Sequence, residues 1–383
     1  MEAQLEGDDV LDVLRRWLAK DVEPHVIALE HADEYPHEMV EQMREFGLFG
    51  ATIPTEYGGL GLSSSVYAEI VALISETWMS LTGVLNSHLM MAELVRRYGT
   101  DEQRAAILPR SAAGELRGGL ALTEPDCGTD LQAIRTTATR SGDGYAIQGA
   151  KTWITNAAEG NCLALLVKTD TAAVPRHRGM SLFWVHKDDG YDVVRKLPKL
   201  GYKGVDTVEV LFEDYRVPAD NLVGGQEGHG MQQVLSGLEV GRVNIASRAV
   251  GVARAAFEHA IRYAQQRETF GKPICEHQAI QLKLADMATK IEAARLLVRQ
   301  AAHKKDSGER CDLEAGMAKL FASETCAEVS LEAMRVLGGY GYTQEFPVER
   351  FYRDAPLMII GEGTNEIQRT VTARQLIKKY AIS

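Results

Sequence analysis

The sequence predicts an α+β protein in which a helical segment, a β-rich segment and a second helical segment follow one another. Two observations predict this order. Apolar residues recur at helical spacing in the first and last thirds, whereas the middle third contains short runs rich in β-branched and aromatic residues. No helix-length segments separate those runs, which favours an antiparallel sheet or barrel over a doubly wound parallel sheet. The expected division is residues 1–115, 116–225 and 226–383.

The first segment is expected to be an N-terminal helical domain. A first helix presents one apolar face, a second helical stretch covers about residues 65–98, and a short third one lies near residues 101–108. A glycine-rich break at residues 57–61 separates the first two. The apolar face of the first helix comprises Val10, Leu11, Val13, Leu14 and Leu18.

The middle segment is expected to form a central β-barrel-like domain. Its strand-like runs begin at Tyr145, Cys162, Met180 and Val208, and turn clusters such as Ser-Gly-Asp-Gly separate them. The last segment is expected to form a helical bundle. Its seam has alternating spacings of four and three residues and comprises Ile280, Leu284, Met287, Ile291, Ala294, Val298 and Ala301.

Composition and charge exclude several classes of function. The net charge of −11 over 383 residues argues against general binding to nucleic acid or anionic membranes, and no apolar run reaches the roughly 18 residues of a membrane span. The acidic first residues fit neither a signal nor a transit peptide, and the five cysteines include no CxxC pair, so we expect reduced thiols and a cytoplasmic location. His25, His31 and His37 lie six residues apart, which matches no helical metal site, so no metal is expected.

Two polar stretches of the middle segment are candidates for binding a flat, polar ligand. Residues 122–130 place hydroxyls, carboxylates and a glycine in a loop, whose free N–H groups suit a heterocycle or a phosphate; a solvated turn is the other interpretation. In residues 151–156, Trp153 and Thr155 share one face of a strand. An indole beside a hydroxyl can contact a ring and its edge, although a core tryptophan is equally consistent.

Two glycine-rich stretches near the C-terminus are the remaining candidates. Residues 337–342 do not form GxGxxG after a strand, which excludes a dinucleotide-binding fingerprint, although their glycines allow a ligand to approach closely. Glu362 lies between Gly361 and Gly363, which leave room for its carboxylate to act as a general base. The alternative is a plain turn in which Thr364 caps the last helix.

Taken in order, these stretches resemble the acyl-CoA dehydrogenase family over essentially the whole chain. Each motif is weak alone, and their shared order makes chance a poor explanation. The motifs are Leu-Thr-Glu-Pro before Gly128, Lys-x-Trp-Ile-Thr-Asn at 151–156, Phe-Glu-Asp-x-Arg-Val-Pro at 212–218, Arg-x-Thr-Phe-Gly at 267–271 with His277 and Gln278, Leu-Gly-Gly-x-Gly-Tyr at 337–342, and Glu-Gly-Thr at 362–364.

The resemblance implies the family's fold and reaction. The implied fold is a helical N-terminal domain, a central β-domain and a C-terminal four-helix bundle. The implied cofactor is FAD, and the implied reaction is α,β-dehydrogenation of an acyl-CoA to trans-2-enoyl-CoA, as in the β-oxidation of fatty acids. Glu362 resembles the base that removes the α-proton while the β-hydrogen leaves as hydride to flavin N5, and its own N–H resembles an oxyanion donor. The implied partners are an electron-transferring flavoprotein and further copies of the chain, as a homotetramer.

Carried over position by position, the resemblance implies a set of binding residues. The implied FAD contacts are Leu122, Thr123, Trp153 and Thr155 at the flavin ring, Gly128 and Thr129 near the flavin phosphate, Arg267, Phe270, Gln278, Arg335 and Gly339 at the phosphates and adenine across a subunit interface, and Thr364 and Glu366 where the site closes. The implied substrate contacts are Thr129, Glu239, Arg242 and Gly363.

Several positions depart from the family pattern. Arg335 stands where the family usually has Gln, and its guanidinium is expected to pair with the pyrophosphate. Gly361 and Leu120 stand where several straight-chain members have Tyr, so the space beside the base is expected to suit a branched or cyclic acyl group. Gly241 occupies the position at which some branched- and long-chain members carry the base, which leaves Glu362 as the candidate.

Three other functions share these motifs. The same chemistry can act on an acyl group tethered to a carrier protein, although an acidic chain disfavours docking to an acidic carrier unless it has a basic patch. An oxidase would pass its electrons to oxygen and release peroxide. A non-catalytic FAD- or CoA-binding homologue is expected to have lost the base, and Glu362 is present. Replacing Glu362 by glutamine is expected to preserve the fold and FAD and to abolish turnover.

Overall fold

The computed structural model describes residues 2–187 and 190–382, and its elements follow the predicted order of helices, strands and helices. The predicted α+β class is confirmed. The helices are α1 (Glu2–Trp17), α2 (Glu23–Ala32), α3 (His37–Glu45), α4 (Ser64–Tyr98), α5 (Asp101–Ala112), α6 (Gly230–Gln266), α7 (Gln278–Asp306), α8 (Asp312–Leu337), α9 (Val348–Ile360) and α10 (Asn365–Lys379). The strands are β1 (Gly118–Ala121), β2 (Thr137–Ser141), β3 (Gly144–Thr155), β4 (Cys162–Lys168), β5 (Met180–His186), β6 (Asp192–Lys196), β7 (Thr207–Pro218), β8 (Glu268–Thr269) and β9 (Lys272–Pro273).

The N-terminal helices pack around α4. In α1, Leu14 is buried as predicted, whereas Val13 is 41% exposed, so the apolar face of this helix is narrower than the sequence suggested. The long α4 is broken at Trp78, whose extended backbone (φ −156°, ψ 106°) divides the helix into two parts. By length and composition α4 is apolar enough to cross a membrane, but 78% of its apolar window is buried inside the protein, as in the core helix of a globular domain.

The central sheet has seven strands, and part of its pairing differs from the expectation. Antiparallel pairs join β2 to β3, β3 to β7, β6 to β7 and β4 to β5. However, β1 and β2 both pair with β4 in parallel, so the sheet is mixed rather than purely antiparallel. The chain passes through β3 between β2 and β4, and through β2 and β3 between β1 and β4. These connections are long enough for parallel partners, which a tight hairpin cannot join.

The C-terminal helices form a bundle around α6 and α8. Residues 240–253 of α6 are all buried, because α4 packs on one side of this helix and α8 on another. The predicted seam of α7 is confirmed: Met287, Ile291, Ala294, Val298 and Ala301 are buried, and the first two members are half-buried.

The element type changes between α5 and β1 and again between β7 and α6. The predicted domain boundaries after residues 115 and 225 lie in these two connections, and the division into three domains stays a proposal. All five cysteines are free thiols.

Candidate active site

Glu362 lies between α9 and α10 in a backbone conformation that side chains rarely adopt. Its φ is 56°, and Gly363 follows with φ 85°, so the chain turns through two left-handed residues. A non-glycine residue there costs about 1–3 kcal/mol and persists only where its surroundings hold it. Thr364 is the N-cap of α10, since its hydroxyl accepts a bond from the Ile367 N–H at 3.5 Å.

Two buried side chains that sequence reasoning missed hold this connection. The ammonium group of Lys319, on α8, donates to the carbonyls of Ile359 and Gly363 at 2.9 and 3.0 Å and to Asn365 Oδ1 at 2.8 Å. Gln368 Nε2 donates to the Gly363 carbonyl at 3.1 Å. The loop that carries Glu362 is therefore fixed by donors from α8 and α10.

In the sequence, the only sign of a special role for Lys319 is that it is a single cation in an alanine-rich part of α8. It is fully buried, and burial lowers its pKa to about 8 although the nearby carboxylates of Glu362 and Glu366 oppose that shift. At neutral pH the amine keeps its proton and with it all three donors.

The carboxylate of Glu362 is enclosed by α4 and α6. Asn86 Nδ2, on α4, donates to Glu362 Oε1 at 3.3 Å. On α6, a methyl group at Gly241 would lie 2.6 Å from Glu362 Oε2 and 2.9 Å from Met90 Cε. The absence of a side chain at position 241 thus provides the space for this carboxylate.

Burial raises the pKa of Glu362 above its ordinary value of 4.5. Arg248, Arg242, Lys319 and the Asn86 bond oppose this rise, in that order of effect. A carboxylate with a raised pKa is a stronger base, and a weakly acidic C–H requires such a base.

The predicted substrate-binding residues Glu239 and Arg242 flank Gly241 on α6. Arg242 is 8% exposed, and its Nε has no hydrogen-bond partner among the described residues, so a buried donor is available to a ligand. Glu239 is half-buried, and burial, with a hydrogen bond and like charge from Asp312, raises its pKa to about 7. These residues mark a polar end of the site.

The two predicted flavin-ring stretches are joined directly to each other. The Thr152 N–H donates to the Thr123 carbonyl at 2.9 Å. The buried Lys151 ammonium donates to Glu124 Oε1 at 2.8 Å and to the Leu122 carbonyl at 3.0 Å. The loop at residues 122–130 is thereby anchored on β3, and its first part is ordered rather than a simple solvated turn.

This pair of stretches also adjoins the base. Asn156 Nδ2 donates to the Val84 carbonyl at 2.8 Å, two residues before Asn86, which contacts Glu362. Trp153 has φ 62° at a bulge of β3, and 59% of it is exposed, whereas Ile154 is buried. The indole is therefore a surface platform and not the core residue that the sequence also allowed.

The structure places the other predicted residues of this region at its rim. Gly128 and Thr129 are exposed and follow the loop directly, and Thr155 is half-buried at the end of β3. Glu366 is exposed on the first turn of α10, where a hydrogen bond to its own backbone N–H lowers its pKa.

A second group of predicted residues lies elsewhere, at the junction of α6, α7 and α8. A cavity of about 660 Å³ is lined by Arg267 and Gly339 among others and by none of the residues around Glu362. Phe270 is 98% exposed with φ 51°, and Gln278 is exposed at the first position of α7. Arg335 is bonded to Glu332 at the end of α8, so its predicted role at a pyrophosphate requires that it leave this pair.

The residues of this second group fit a dinucleotide cofactor. The described residues offer no ion-pair partner to the guanidinium of Arg267, which leaves this cation available to a phosphate. Gly338 and Gly339 have open space where a Cβ would project, and such a backbone lets a bulky ligand approach. With the exposed Trp153 near the base, the chain presents platforms for both ends of FAD.

One cluster of possible metal ligands is explained by charge pairing. Glu30, His31 and Glu349 lie close together, but Arg353 binds Glu30 at 2.5 Å and Glu349 at 2.6 Å. The guanidinium bonds both carboxylates and offsets part of their charge, so the cluster is a salt-bridge network that ties α2 to α9.

Comparison with known proteins identifies the family of this chain. The chain matches the N-terminal, middle and C-terminal domain models of acyl-CoA dehydrogenases over residues 5–115, 119–215 and 228–377. It is 39% identical to an acyl-CoA dehydrogenase of Bacillus subtilis, with 95% of this chain and 96% of that protein aligned. It is also 39% identical to the (2S)-methylsuccinyl-CoA dehydrogenase of Cereibacter sphaeroides, over 97% of this chain and 70% of that protein.

Among solved structures, butyryl-CoA dehydrogenase from Megasphaera elsdenii superposes with a TM-score of 0.94 at 34% identity, covering 97% of this chain and 98% of that one. The suspected family and its fold are thereby confirmed. The chain belongs to the acyl-CoA dehydrogenase family, whose members are FAD-dependent oxidoreductases.

Proposed function

We propose that this chain dehydrogenates an acyl-CoA thioester between its α and β carbons, with Glu362 as the base that removes the α-proton. The observation that carries the proposal is the enclosed carboxylate of Glu362, whose pKa burial raises and whose loop Lys319 fixes. A general base needs both a matched pKa and a fixed position, and the strained backbone at Glu362 is of the kind that functional sites retain.

The chain's own residues have distinct roles in this proposal. Glu239, Arg242, Thr129 and Gly363 bind the thioester and CoA, and the unpaired Nε of Arg242 is the buried donor among them. The Glu362 N–H polarises the thioester carbonyl, which makes the α-proton more acidic. Bound FAD supplies the hydride acceptor for the β-hydrogen.

FAD is held by two groups of residues. Leu122, Thr123, Trp153, Thr155, Gly128 and Thr129 contact the flavin end, with Thr364 and Glu366 closing the site. Arg267, Phe270, Gln278, Arg335 and Gly339 contact the phosphates and adenine of the FAD of another copy. Because the cavity at Arg267 shares no lining residue with the surroundings of Glu362, we propose a homotetramer, a dimer of dimers, in which one copy completes another's site.

The finer assignments are part of the same proposal. Electrons pass to an electron-transferring flavoprotein, and the enzyme acts in β-oxidation in the cytoplasm, for which five free thiols are consistent. The relatives differ in the acyl group that they oxidise. One acts on butyryl-CoA, whose acyl chain ends in an uncharged methyl group, and another on methylsuccinyl-CoA, whose acyl chain ends in a free carboxylate. The space beside Gly361, where only Leu357 lies near a possible Cβ, favours a branched acyl group.

Anaerobic titration of the purified protein with a panel of acyl-CoA thioesters tests the proposal. Bleaching of the visible flavin band by one thioester is expected. A yellow protein that no acyl-CoA bleaches would instead indicate a carrier-tethered substrate. Fast release of peroxide when the reduced protein is exposed to air would show that oxygen, and not an electron-transferring flavoprotein, accepts the electrons.

A further inference from the structure

The inner end of the site contains a buried cation that the proposed chemistry does not use. Arg248 lies on α6, is 2% exposed, and pairs with no carboxylate within 4 Å among the described residues. Its guanidinium donates only to neutral groups: to Asn244 Oδ1 at 2.7 Å, to the Tyr202 hydroxyl at 3.3 Å and to the Thr82 carbonyl at 3.0 Å. A guanidinium has five N–H donors, so two remain free.

Arg248 lies two helical turns beyond Gly241, the residue that adjoins the base, on the same helix. Among the charged groups that act on Glu362, Arg248 has the largest effect. Its acceptor Thr82 is one helical turn before Asn86, the residue that bonds Glu362. Arg248 is also seven residues after Gly241 on α6, a rise of about 10 Å along the helix axis.

The exposure of α6 gives the direction in which an acyl group extends. Glu239 is half-buried and marks the polar end, whereas residues 240–253 are all buried. Because CoA is large and charged, it must remain at the end near Glu239. An acyl chain whose α-carbon meets Glu362 and that extends along α6 away from Glu239 would point towards Arg248.

The surroundings of Arg248 are polar where a hydrocarbon tail would require apolar contacts. Tyr202 is held beside Arg248 by two features. Its backbone N–H donates to the buried Asp354 at 2.6 Å. Gly83 leaves room for its hydroxyl, since a Cβ at position 83 would lie 1.7 Å from the hydroxyl oxygen. Tyr202 accepts a bond from Arg248 and keeps its own hydroxyl proton to donate. Asn244 Nδ2 donates to the Tyr67 hydroxyl at 3.1 Å.

We infer that Arg248, with Tyr202, binds a free carboxylate at the far end of the acyl group, so that the substrate is the mono-CoA thioester of a short dicarboxylic acid. Glu362 acts on Arg248 only at a distance, because the hydrogen bonds of the guanidinium all go to neutral acceptors. A substrate carboxylate would accept its two free N–H donors directly as a charge-assisted pair. This inference rests on the proposed function and specifies its substrate class.

The test compares pairs of thioesters in anaerobic flavin reduction. Succinyl-CoA, glutaryl-CoA and the branched (2S)-methylsuccinyl-CoA are each compared with the analogue in which an isopropyl group replaces the free carboxylate. At least one carboxylated thioester is expected to reduce the flavin with an efficiency about 100-fold or more above its analogue, because a site built to bind a polar group rejects the isostere without it.

The variants R248Q and R254Q refine the test. R248Q is expected to lower that ratio of efficiencies about 100-fold, whereas R254Q, which removes a cation of the same helix that pairs with Glu76, leaves it unchanged. Should R248Q fail to fold, the wild-type ratio alone decides.

Three outcomes overturn the inference. Equal or better reduction by the isopropyl analogues or by butyryl-CoA would make Arg248 a structural residue and leave the dehydrogenase proposal standing. An unchanged ratio in a folded R248Q would do the same. Failure of every thioester to reduce a flavin-containing protein would defeat the proposed function itself.

Discussion

Replacing Lys319 with methionine tests how the base is held, because the new side chain has a similar length but no donors. Three acceptors lose a bond. Asn365 Oδ1 keeps a bond from Ser323 at 3.2 Å, and the Gly363 carbonyl keeps one from Gln368 at 3.1 Å. The Ile359 carbonyl is left without any donor among the described residues.

The loss of stability in K319M can be estimated from these three lost bonds. Ile359 is partly buried, and an acceptor that loses its partner there costs up to about 1–3 kcal/mol, while each of the two weakened acceptors costs about 0.5–1.5 kcal/mol. Removing a buried ammonium offsets part of this loss. We expect a net loss of about 2–4 kcal/mol in the free energy of unfolding. With an unfolding entropy of about 2.1 cal/mol/K per residue over 383 residues, this corresponds to a fall in Tm of roughly 2–5 °C.

The same change should slow the reaction, because a shift of about 1 Å in the base can cost about 100-fold in rate. Thermal unfolding of the FAD-loaded protein and stopped-flow flavin reduction measure the two effects. The control is K290M, which removes a partly exposed lysine that pairs with Glu328 and should cost less than about 1 kcal/mol. A K319M protein as stable and as fast as K290M would refute the role of Lys319.

Three further predictions use the surroundings of Glu362. G241A places a methyl group 2.6 Å from Oε2, so the carboxylate must move by about 0.8 Å to reach ordinary contact at 3.4 Å, and flavin reduction should slow about 100-fold. G237A, on the same helix, places its methyl group nearest to the Leu94 side chain instead of Glu362 and should stay near the wild-type rate. Burial raises the pKa of Glu362 in the folded state, so the folded protein holds this proton more tightly than the unfolded chain, and the stability falls as the pH rises above 4.5. E362Q has no carboxylate to ionise and should therefore have a higher Tm than wild type at pH 7. Equal Tm values would contradict the raised pKa. Arg248 lowers the pKa of Glu362, so the acidic limb of the pH–rate profile should move to higher pH in R248Q. A limb at the wild-type pH would show that Arg248 does not affect the ionisation of Glu362.

The sequence predicted the fold class and the order of the three segments, and the stretches that it proposed for the site remain a prediction. Hydrophobic periodicity and turn residues are local, so they located α7 and the strands. The glycines around Glu362 allowed either a base or a plain turn, and the family resemblance singled out Glu362 as the candidate base. The parallel pairing of β1 and β2 with β4 was not predictable, because local patterns do not record which strands meet.

The supports of the site were also missed. Lys319, Asn86 and Arg248 each lie on a helix far along the chain from the residues they contact. Their spacing gives no periodic signal, and only the folded arrangement of α4, α6 and α8 brings them to Glu362. The exposure of Trp153 likewise depends on a bulge in β3, which the strand pattern alone did not reveal.

Single-turnover reduction of wild type and E362Q by a saturating acyl-CoA, under anaerobic conditions, tests the central claim most directly. Glutamine matches the size of the base but cannot accept the proton. We predict that both proteins bind FAD, that the wild-type flavin band bleaches, and that the E362Q band does not. Bleaching of E362Q at the wild-type rate would show that another group removes the α-proton.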